Sequence, residues 1–422
     1  MSMDEATLAN RLTQYFDSGL EFDKVAPFVG GLAKGAGGYE PVKARLKILA
    51  AEGFDVSQVQ RYALYPLDNR WCYYSAVQGL WNRARPELIK RTPSGETLLV
   101  VRRFAERPKE GRPTTVTSAL PDYHLLRPNV VAIPMTLGPP LAPTQRQPTQ
   151  GTMFGHTETV AGPTANLSEK ARRYLASLGL MNLDDNLDVA RHIWFHLLAI
   201  TYSPLYLDEH RQGIRADLPR VPLPISAALF KSSAELGRTA ARLLDVEKPV
   251  PGVTGGRLRR ELALLGRLTE SGNGVSLNIS CGWGSFQPKN GIVMPGKGDA
   301  RIRSFSSEEK EALRDGSVEL AIEHGCASSS LGNKTLDIYL NGSTYWGNVP
   351  EAVWDYTIGG YQVLKKWLSY REHSVLGRDI TKDEAREFSN MVRRLAALII
   401  MEPALDDNYK QVREAAIGWD AV

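Results

Sequence analysis

Cysteine is scarce in this sequence, and its spacing argues against two kinds of stabilising site. The 422 residues include three cysteines, Cys72, Cys281 and Cys326, which lie far apart and form no Cys-x-x-Cys pair. A disulfide framework or a structural zinc site needs more closely grouped cysteines, so neither is expected. Scattered free thiols are typical of the reducing cytoplasm. We therefore expect a cytoplasmic protein without redox chemistry.

Long apolar runs are also missing. No stretch approaches the roughly 18 uncharged apolar residues of a membrane-spanning helix. The first residues carry Asp4, Glu5 and Asp17, whereas a secretory signal peptide has a basic start followed by an apolar segment. The sequence predicts a soluble chain with no membrane partner.

What the chain does contain is an ordinary globular composition with unevenly distributed charge. Hydrophobic residues make up 43% and charged residues 23%, and at about 150 residues per domain the length suggests two or three domains. Residues 61–112 hold eleven Lys or Arg against five Asp or Glu, whereas residues 350–422 hold ten against twelve. A basic segment is typical of a protein that touches a polyanion, although a solvated charged face gives the same pattern.

Periodicity and turn residues predict a multi-lobed α+β fold. It should combine helical units with a small mixed N-terminal module and a lobe rich in strands and loops. The expected divisions are an α+β module with the basic segment at 1–137, a Pro- and Gly-rich linker or mobile loop at 138–165, a helical unit at 166–245, the β- and loop-rich lobe at 246–349, and a C-terminal helical unit at 350–422.

Individual elements follow from the spacing of apolar residues. One helix face is predicted from Leu8, Leu12, Tyr15 and Phe16, and a second from Val42, Leu46, Leu49 and Ala50. Further helices are expected at 166–178, capped by Asn166 or Ser168, and at 189–202, 227–244, 361–370 and 382–400, with a last amphipathic stretch to Trp419. Runs rich in β-branched residues predict strands at 97–101, 114–118, 130–133, 275–279, 291–294, 300–304 and 336–340.

Motifs for catalysis are weak. No Gly-Lys-Ser/Thr loop, G-x-G-x-x-G turn or Gly-x-Ser-x-Gly elbow is present. His192 and His196 are spaced like metal ligands, but Ile193 stands where a zinc protease has glutamate. Asp299 with Glu308-Glu309-Lys310 imitates a metal-dependent nuclease, although an acidic helix start gives the same residues. A nuclease therefore stays an alternative, and no metal or cofactor is expected.

Two longer segments are more specific. Residues 61–74, RYALYPLDNRWCYY, are followed by WNRARPEL at 81–88. The second segment comprises Tyr345-Trp346, Val349-Pro350, residues 353–372 and Leu-Gly-Arg at 376–378. Both resemble type ISP restriction-modification enzymes and related adenine-N6 DNA methyltransferases. Shorter matches at 202–206, 219–224, 229–230 and 236–237 fall in the same order, so the resemblance spans about 55–405.

The resemblance concerns the C-terminal target recognition, or specificity, domain of that family. Those long polypeptides join nuclease, ATP-dependent translocase, methyltransferase and target recognition. The methyltransferase motif Asn/Asp-Pro-Pro-Tyr/Phe is missing here, since Pro139-Pro140 lies between Gly138 and Leu141. The resemblance thus implies recognition of double-stranded DNA in a phage-defence system without catalysis by this chain, as part of a larger enzyme or as a separate subunit beside a methyltransferase. A protein-interaction subunit that has lost DNA contact stays an alternative.

Base reading needs Arg, Lys, Asn or Gln side chains at base edges, and phosphate binding needs cations. The lobe at 246–349 supplies long polar side chains on turns and short strands, which could equally be solvated hairpin tips. The candidates there are Arg257, Arg259, Arg260, Asn278, Gln287, Lys289, Asn290, Lys297, Arg301 and Arg303. In the first motif, Arg83 and Arg85 are phosphate candidates, whereas Arg70 could bind DNA or pair with Asp68.

Gly359-Gly360 precedes a predicted helix and could offer free backbone N–H groups to a phosphate, with Lys365 and Lys366 one turn later. Tyr361, Leu364 and Trp367 have the spacing of a buried helix face, so the same motif could serve mainly as core.

Overall fold

The structure, a computed structural model, describes residues 1–35, 38–81, 83–107, 110–127, 129–139, 162–270, 275–287, 292–315 and 330–418. Helices and small sheets largely alternate as blocks along the chain, which confirms the α+β class. No helix within these ranges is long and apolar enough to cross a membrane.

The helices differ widely in length. They are α1 (Glu5–Tyr15), α2 (Phe22–Val25), α3 (Pro41–Ala51), α4 (Pro86–Arg91), α5 (Glu169–Ser177), α6 (Leu187–Tyr202), α7 (Pro204–Glu209), α8 (Arg211–Ala216), α9 (Ala227–Leu244), α10 (Arg260–Ala263), α11 (Ser307–Asp315), α12 (Glu351–Trp354), α13 (Val363–Ser369), α14 (His373–Leu376) and α15 (Lys382–Glu414). Short 3₁₀ helices lie at Gly30–Ala33 and Val56–Gln58.

The strands form several small sheets. They are β1 (Val59–Tyr65), β2 (Asp68–Tyr73), β3 (Leu98–Arg102), β4 (Thr114–Thr117), β5 (Leu120–Pro121), β6 (Val130–Pro134), β7 (Thr136–Leu137), β8 (Thr164–Ala165), β9 (Arg267–Glu270), β10 (Gly284–Gln287), β11 (Ile292–Pro295), β12 (Ala300–Ser304), β13 (Lys334–Tyr339), β14 (Thr344–Pro350), β15 (Thr357–Ile358) and β16 (Tyr361–Gln362). The sheet orders are β2-β1-β5, β4-β3-β6, β12-β13-β14-β9, β10-β11, β7-β8 and β15-β16.

The first helix matches the prediction and the second does not. Leu8, Leu12 and Tyr15 of α1 are buried as expected. On α3, however, Val42 and Leu46 are 47% and 60% exposed, so the predicted face is wrong. The opposite face is buried because the Arg45 guanidinium turns inward, where it donates to the carbonyls of Leu20, at 2.8 Å, and Asp17.

The predicted central strands form one sheet. β3 lies between β4 and β6 and pairs antiparallel with both. Its apolar residues 98–101 are buried, which explains why this run reads as continuously apolar. The expected strands at 97–101, 114–118 and 130–133 are therefore confirmed, with bounds shifted by one residue or so.

The helices of the middle section are confirmed as well. The predicted cap Ser168 accepts from the Ala171 N–H at the start of α5. α6 and α9 cross closely, because Gly237 of α9 faces the carbonyl of Phe195, and a Cβ there would lie 1.7 Å from that oxygen. α15 continues through Pro403 for 33 residues, so the helix predicted at 382–400 and most of the amphipathic stretch after it form one element.

The β- and loop-rich lobe differs from the prediction in several places, and neither β10 nor β14 was expected. Residues 275–279 form no strand within the described chain, because Asn341 Nδ2 instead donates to the carbonyls of Ser276 and Asn278, at 3.0 and 2.9 Å. β9 was not expected, and it forms the edge of the four-stranded sheet. The strands predicted at 300–304 and 336–340 are present as β12 and β13.

One large hydrophobic core connects much of the chain. Its buried members run from Ala63 to Leu405 and include Trp283, Trp346 and Trp367. A smaller N-terminal core packs α1 and α3 against β2. The predicted division into five parts stays a prediction. Most of the predicted linker, residues 140–161, lies outside the described residues, and its flanks pair as β7 and β8.

Candidate nucleic-acid interface

The strands β10 and β11 form a two-stranded antiparallel ribbon, called the ribbon below. Phe286, Ile292 and Met294 are 53%, 47% and 50% exposed, although they are large apolar side chains. Gln287 is exposed next to them, whereas Val293 is buried. The ribbon therefore presents apolar and amide side chains to solvent.

The ribbon is fixed to the rest of the protein mainly through its backbone. Gly284 lies against the carbonyl of Ser369 on α13, where a Cβ would come within 1.9 Å of the oxygen. The Glu372 carboxylate accepts from the N–H groups of Gly282 and Trp283, at 3.2 and 2.8 Å. Lys366 Nζ donates to the Val293 carbonyl at 3.4 Å. These contacts hold the ribbon on α13 and the residues just after it.

The predicted base readers near the ribbon have different surroundings. Lys297 is exposed beyond β11. Arg301 is exposed on β12, where its guanidinium binds the Asp299 carboxylate at 2.8 Å and lies 3.8 Å from the centre of the Tyr339 ring. Gln287, Lys297 and Arg301 thus form an accessible polar set around the ribbon.

Two other predicted readers are held by neighbouring groups. Arg303 lies between the carboxylates of Glu309 and Asp337, at 2.9 and 3.1 Å. The hydrogen bonds from Arg303 to these carboxylates, and their negative charges, raise the pKa of Arg303. Asn278 Nδ2 donates to Asp379 at 2.7 Å. For both residues, contact with DNA stays a prediction that would require these partners to be exchanged.

The arginine group near α10 is partly exposed. Arg257 and Arg260 face solvent, and Arg259 is half-buried with its side chain against Gly252. Lys289 and Asn290 lie outside the described residues.

Arg70 lies in a buried ion-pair network, as the alternative interpretation predicted. Its guanidinium contacts the Asp68 carboxylate at 3.0 Å, and Arg371 contacts the same carboxylate at 2.9 Å. Burial alone would raise the pKa of Asp68, but the two arginines outweigh it and hold the pKa at about 2. Asp68 is therefore ionised at neutral pH, and it fixes both arginines.

Lys366 is buried among tyrosine rings. Its Nζ lies 4.5 Å from the centre of the Tyr65 ring and 4.9 Å from that of Tyr370. Burial lowers the pKa of Lys366 to about 8, while Asp68 opposes this shift and Arg70 adds to it. Lys365 is half-buried. Phosphate contact by the two lysines stays a prediction.

The prediction of free N–H groups at Gly359 and Gly360 is wrong. Their N–H groups donate to the carbonyls of Arg112 and Glu110, at 2.9 and 2.7 Å. The helix α13 begins only at Val363, because residues 357–362 form the β15-β16 pair. The alternative interpretation is confirmed for the helix face, since Leu364 and Trp367 are buried.

The structure brings Arg83 and Arg85 together at a cavity. Its lining also includes four aromatic side chains and Asp122, and the full set is Tyr62, Tyr74, Trp81, Arg83, Arg85, Leu120, Asp122, Tyr123 and His124. Sequence reasoning missed the segment that contributes Asp122, Tyr123 and His124. Its signal is an aromatic and acidic run directly after a short strand, β5, and Arg127 follows it.

Much of the basic segment is neutralised internally. Arg61 pairs with Glu247 at 2.8 Å, and Arg102 pairs with Glu110 at 3.0 Å. Arg112 pairs with Glu402 on α15. Because carboxylates outside the segment meet Arg61 and Arg112, the sequence surplus overstates the positive charge at the surface.

The geometry of the described residues adds no support for a metal site at His196 or for a nuclease with Asp299. His196 is buried, with its ring nitrogens near the Ser233 hydroxyl and the Pro222 carbonyl, and burial lowers its pKa to about 4. Asp299 is bound by Arg301. Among the described residues, no three His, Cys, Asp or Glu side chains are grouped as a metal site would require.

Comparison with known proteins points to one family. The family model of the Type ISP C-terminal specificity domain matches residues 7–398. The chain belongs to this family. The match covers nearly the whole chain, from α1 to α15, and the resemblance of the sequence segments to this family is confirmed.

The fold of the specificity domain is similar to parts of larger solved structures. One is the ATP-dependent Type ISP restriction-modification enzyme LlaBIII bound to DNA, with a TM-score of 0.50 and 9% identity over 96% of this chain and 21% of that chain. Another is a DrdV–DNA complex, with a TM-score of 0.53 and 15% identity over 96% of this chain and 34% of that chain. The specificity domain thus spans a minor part of each neighbour's length. No curated protein matches its sequence.

Proposed function

We propose that the specificity domain recognises a sequence in double-stranded DNA on behalf of an adenine-N6 methyltransferase or restriction-modification enzyme, joined to it in cis or in trans. The observation that carries this proposal is the exposed ribbon, with polar and apolar side chains on a rigid support. Family membership, and similarity of fold to enzymes solved in complex with DNA, support it. A cytoplasmic location fits the scattered free thiols.

The ribbon consists of two antiparallel strands, and the major groove of DNA admits a two-stranded β-ribbon. Gln287 carries the amide that pairs with adenine, and Arg301 carries the fork that pairs with guanine, for which it would exchange its present partner, Asp299. Phe286, Ile292 and Met294 offer apolar contact, which favours thymine methyl groups. Lys297 is suited to a phosphate beside the groove.

The test is selection of a randomised duplex library by the purified chain at two salt concentrations, followed by sequencing of the retained DNA. We expect an enriched asymmetric motif and binding that weakens as salt rises. Absence of salt-sensitive binding, combined with stable capture of a methyltransferase, would make the chain an interaction subunit instead.

Two variants test whether the ribbon and its neighbouring side chains recognise the DNA sequence. Arg301→Ala and Gln287→Ala should each weaken binding to the selected motif by about tenfold and relax one position in it. The matched control is Arg220→Ala, because this arginine side chain is 82% exposed and pairs only locally, with Asp217. Equal losses for Arg301→Ala and Arg220→Ala would show that net charge, not the ribbon, determines binding.

A further inference from the structure

The cavity at Arg83 and Arg85 is lined by aromatic rings. Its volume is about 220 Å³. Trp81 packs against Tyr62 and Tyr74, with ring centroids 5.0 and 5.9 Å apart. Tyr123, from the loop after β5, contributes another half-buried ring. The cavity therefore combines several π surfaces that do not all belong to the closed core.

The planar guanidinium of Arg83 already lies against one of these rings, that of Tyr123. The guanidinium carbon of Arg83 lies 4.5 Å from the centre of the Tyr123 ring. Arg83 is exposed, so its side chain can swing away or stack on an entering group. A flat aromatic ligand can thus occupy the same face of Tyr123, with the guanidinium on its outer side.

The polar groups of the cavity are held in place. The Asp122 carboxylate accepts from the Tyr62 hydroxyl and, at 2.6 Å, from the His124 N–H. Burial and the neighbouring Asp122 raise the pKa of Tyr62, which keeps the hydroxyl protonated as the donor. A carboxylate has about four acceptor positions, so Asp122 retains capacity for an amino group.

The second arginine, Arg85, forms part of the cavity wall. The Arg85 N–H donates to the Tyr74 hydroxyl at 3.0 Å, and its guanidinium donates to the Pro121 carbonyl. Arg85 is half-buried, whereas Arg83 lies at the exposed edge. The two arginines outnumber the single carboxylate, so the entrance favours an anionic group such as a phosphate.

A chain of contacts through Tyr361 and Lys366 connects the cavity to the ribbon. The Tyr361 hydroxyl donates to the His124 carbonyl at 3.1 Å. The Tyr361 ring lies 5.8 Å from Lys366 Nζ, which donates to Val293 of the ribbon. These side chains therefore couple the position of the cavity to that of the ribbon.

We propose that this cavity, called the base pocket below, receives one unpaired nucleobase of the bound DNA. The base stacks on Tyr123 and Trp81, an amino group on its edge donates to Asp122, and Arg83 and Arg85 bind the adjoining phosphate. The carboxylate favours cytosine or adenine over thymine, since only the first two carry an exocyclic amine. This inference rests on the proposed function.

The size of the base pocket separates it from a cofactor site. Its volume lies below the roughly 300–1,000 Å³ of pockets that enclose drug-sized ligands. A whole dinucleotide or a nucleoside cofactor would exceed it, whereas a single base needs only a slot between rings. The positive entrance then suits a base that remains attached to its strand.

The experiment compares the affinity of the full chain for two duplexes that carry its selected motif. One is fully paired, and the other has a single unpaired cytosine, placed in turn at each position in and beside the motif. We expect one placement to bind about tenfold more tightly than the paired duplex, the effect of stacking one base. Thymine at that placement should bind less tightly than cytosine.

Two variants assign the effect to the base pocket. Tyr123→Leu should abolish the preference for the unpaired base and leave affinity for the paired duplex within about twofold. Asp122→Asn should remove the difference between cytosine and thymine. The matched control is Phe28→Leu, since this ring is 67% exposed and lies in the turn after α2, among residues that do not line the base pocket. Circular dichroism and thermal unfolding would confirm that each variant is folded.

The outcomes separate this inference from the proposed function. If paired and unpaired duplexes bind equally at every placement, the base pocket is wrong and the proposed function stands. A preference that survives in Tyr123→Leu would put the unpaired base elsewhere and also overturn the inference. If neither duplex binds in a salt-sensitive way, both proposals fail.

Discussion

Lys366 carries its charge in surroundings that disfavour it. The amine contacts tyrosine rings and one carbonyl, and burial lowers its pKa from 10.5 to about 8. Asp68 opposes this shift, while Arg70 and Arg127 strengthen it. The lysine therefore holds its proton less tightly in the folded chain than in the unfolded chain.

This shift predicts a pH-dependent contribution to stability. Between pH 8 and 10.5 unfolding takes up a proton at Lys366, so its contribution to the free energy of unfolding rises with pH across that window and is constant on either side. Relative to Lys366→Met, the wild-type chain should gain about 1–3 kcal/mol between these limits. Urea unfolding of both proteins at closely spaced pH values measures the difference. A difference independent of pH would contradict the assignment.

The charged pairs show what sequence can predict about single residues. Arg70 and Asp68 are two positions apart on β2, so their pairing could be anticipated and is confirmed at 3.0 Å. The second partner of Asp68, Arg371, lies 303 positions away. Such a contact depends on how α13 and its following turn dock against β2, which spacing along the chain does not reveal.

At the scale of elements, the position of the ribbon depends on the absence of a side chain at Gly284. Gly284 touches the Ser369 carbonyl so closely that a Cβ would lie 1.9 Å from the oxygen. Because this neighbour is backbone, it cannot rotate away. The ribbon must therefore shift if any side chain is added at this position.

We expect Gly284→Ala to destabilise the protein by about 1–3 kcal/mol and to lower its affinity for DNA. Gly342→Ala is the matched control, since it lies in the same lobe, in a conformation open to other residues, with no atom within 4 Å of the added Cβ. Thermal unfolding and DNA titration measure the two effects. Equal stability of the two variants would show that the ribbon adjusts without cost.

Elements with a strong local signal could be predicted, and those determined by distant partners could not. β3 is buried on both sides and reads as an apolar run, so its position was correct. Residues 275–279 also contain β-branched and other apolar residues, but a side chain from the β13-β14 turn, Asn341, binds the carbonyls of Ser276 and Asn278. The orientation of α3 depended on Arg45, whose burial is possible only because backbone carbonyls receive it.

At the scale of the whole molecule, contacts between distant segments join the N-terminal strands to the last helix. The Arg394 guanidinium on α15 donates to the carbonyls of Arg242, Leu243, Asp245 and Lys248, at 2.6 to 3.1 Å. Arg112 stacks on the Tyr356 ring and pairs with Glu402. These contacts cross the main core, whose members extend from Ala63 to Leu405.

We therefore expect the chain to unfold in one transition, although it is longer than most proteins that do so. Heating curves from far-UV and near-UV circular dichroism should coincide, and Arg394→Met should move the common midpoint downward without splitting it. Two separated transitions in the wild-type chain would show that the predicted divisions at 137 and 245 behave as independent units.

The base pocket explains why the candidate site could be predicted only in part. Its lining comes from three separate segments, at 62–74, 81–85 and 120–124. The first two lie in the recognised motif, and they supplied Arg83 and Arg85. The third has no motif of its own, and it reaches the cavity because β5 pairs in parallel with β1.

The way the ribbon is attached bears on how new DNA specificities could arise. Its supports reach main-chain atoms: the Gly284 backbone, the N–H groups of Gly282 and Trp283, and the Val293 carbonyl. None of them involves the exposed side chains of Phe286, Gln287 or Met294. These positions are therefore free to change during evolution while the scaffold stays intact, so related enzymes can diverge in target sequence without first losing a folded protein.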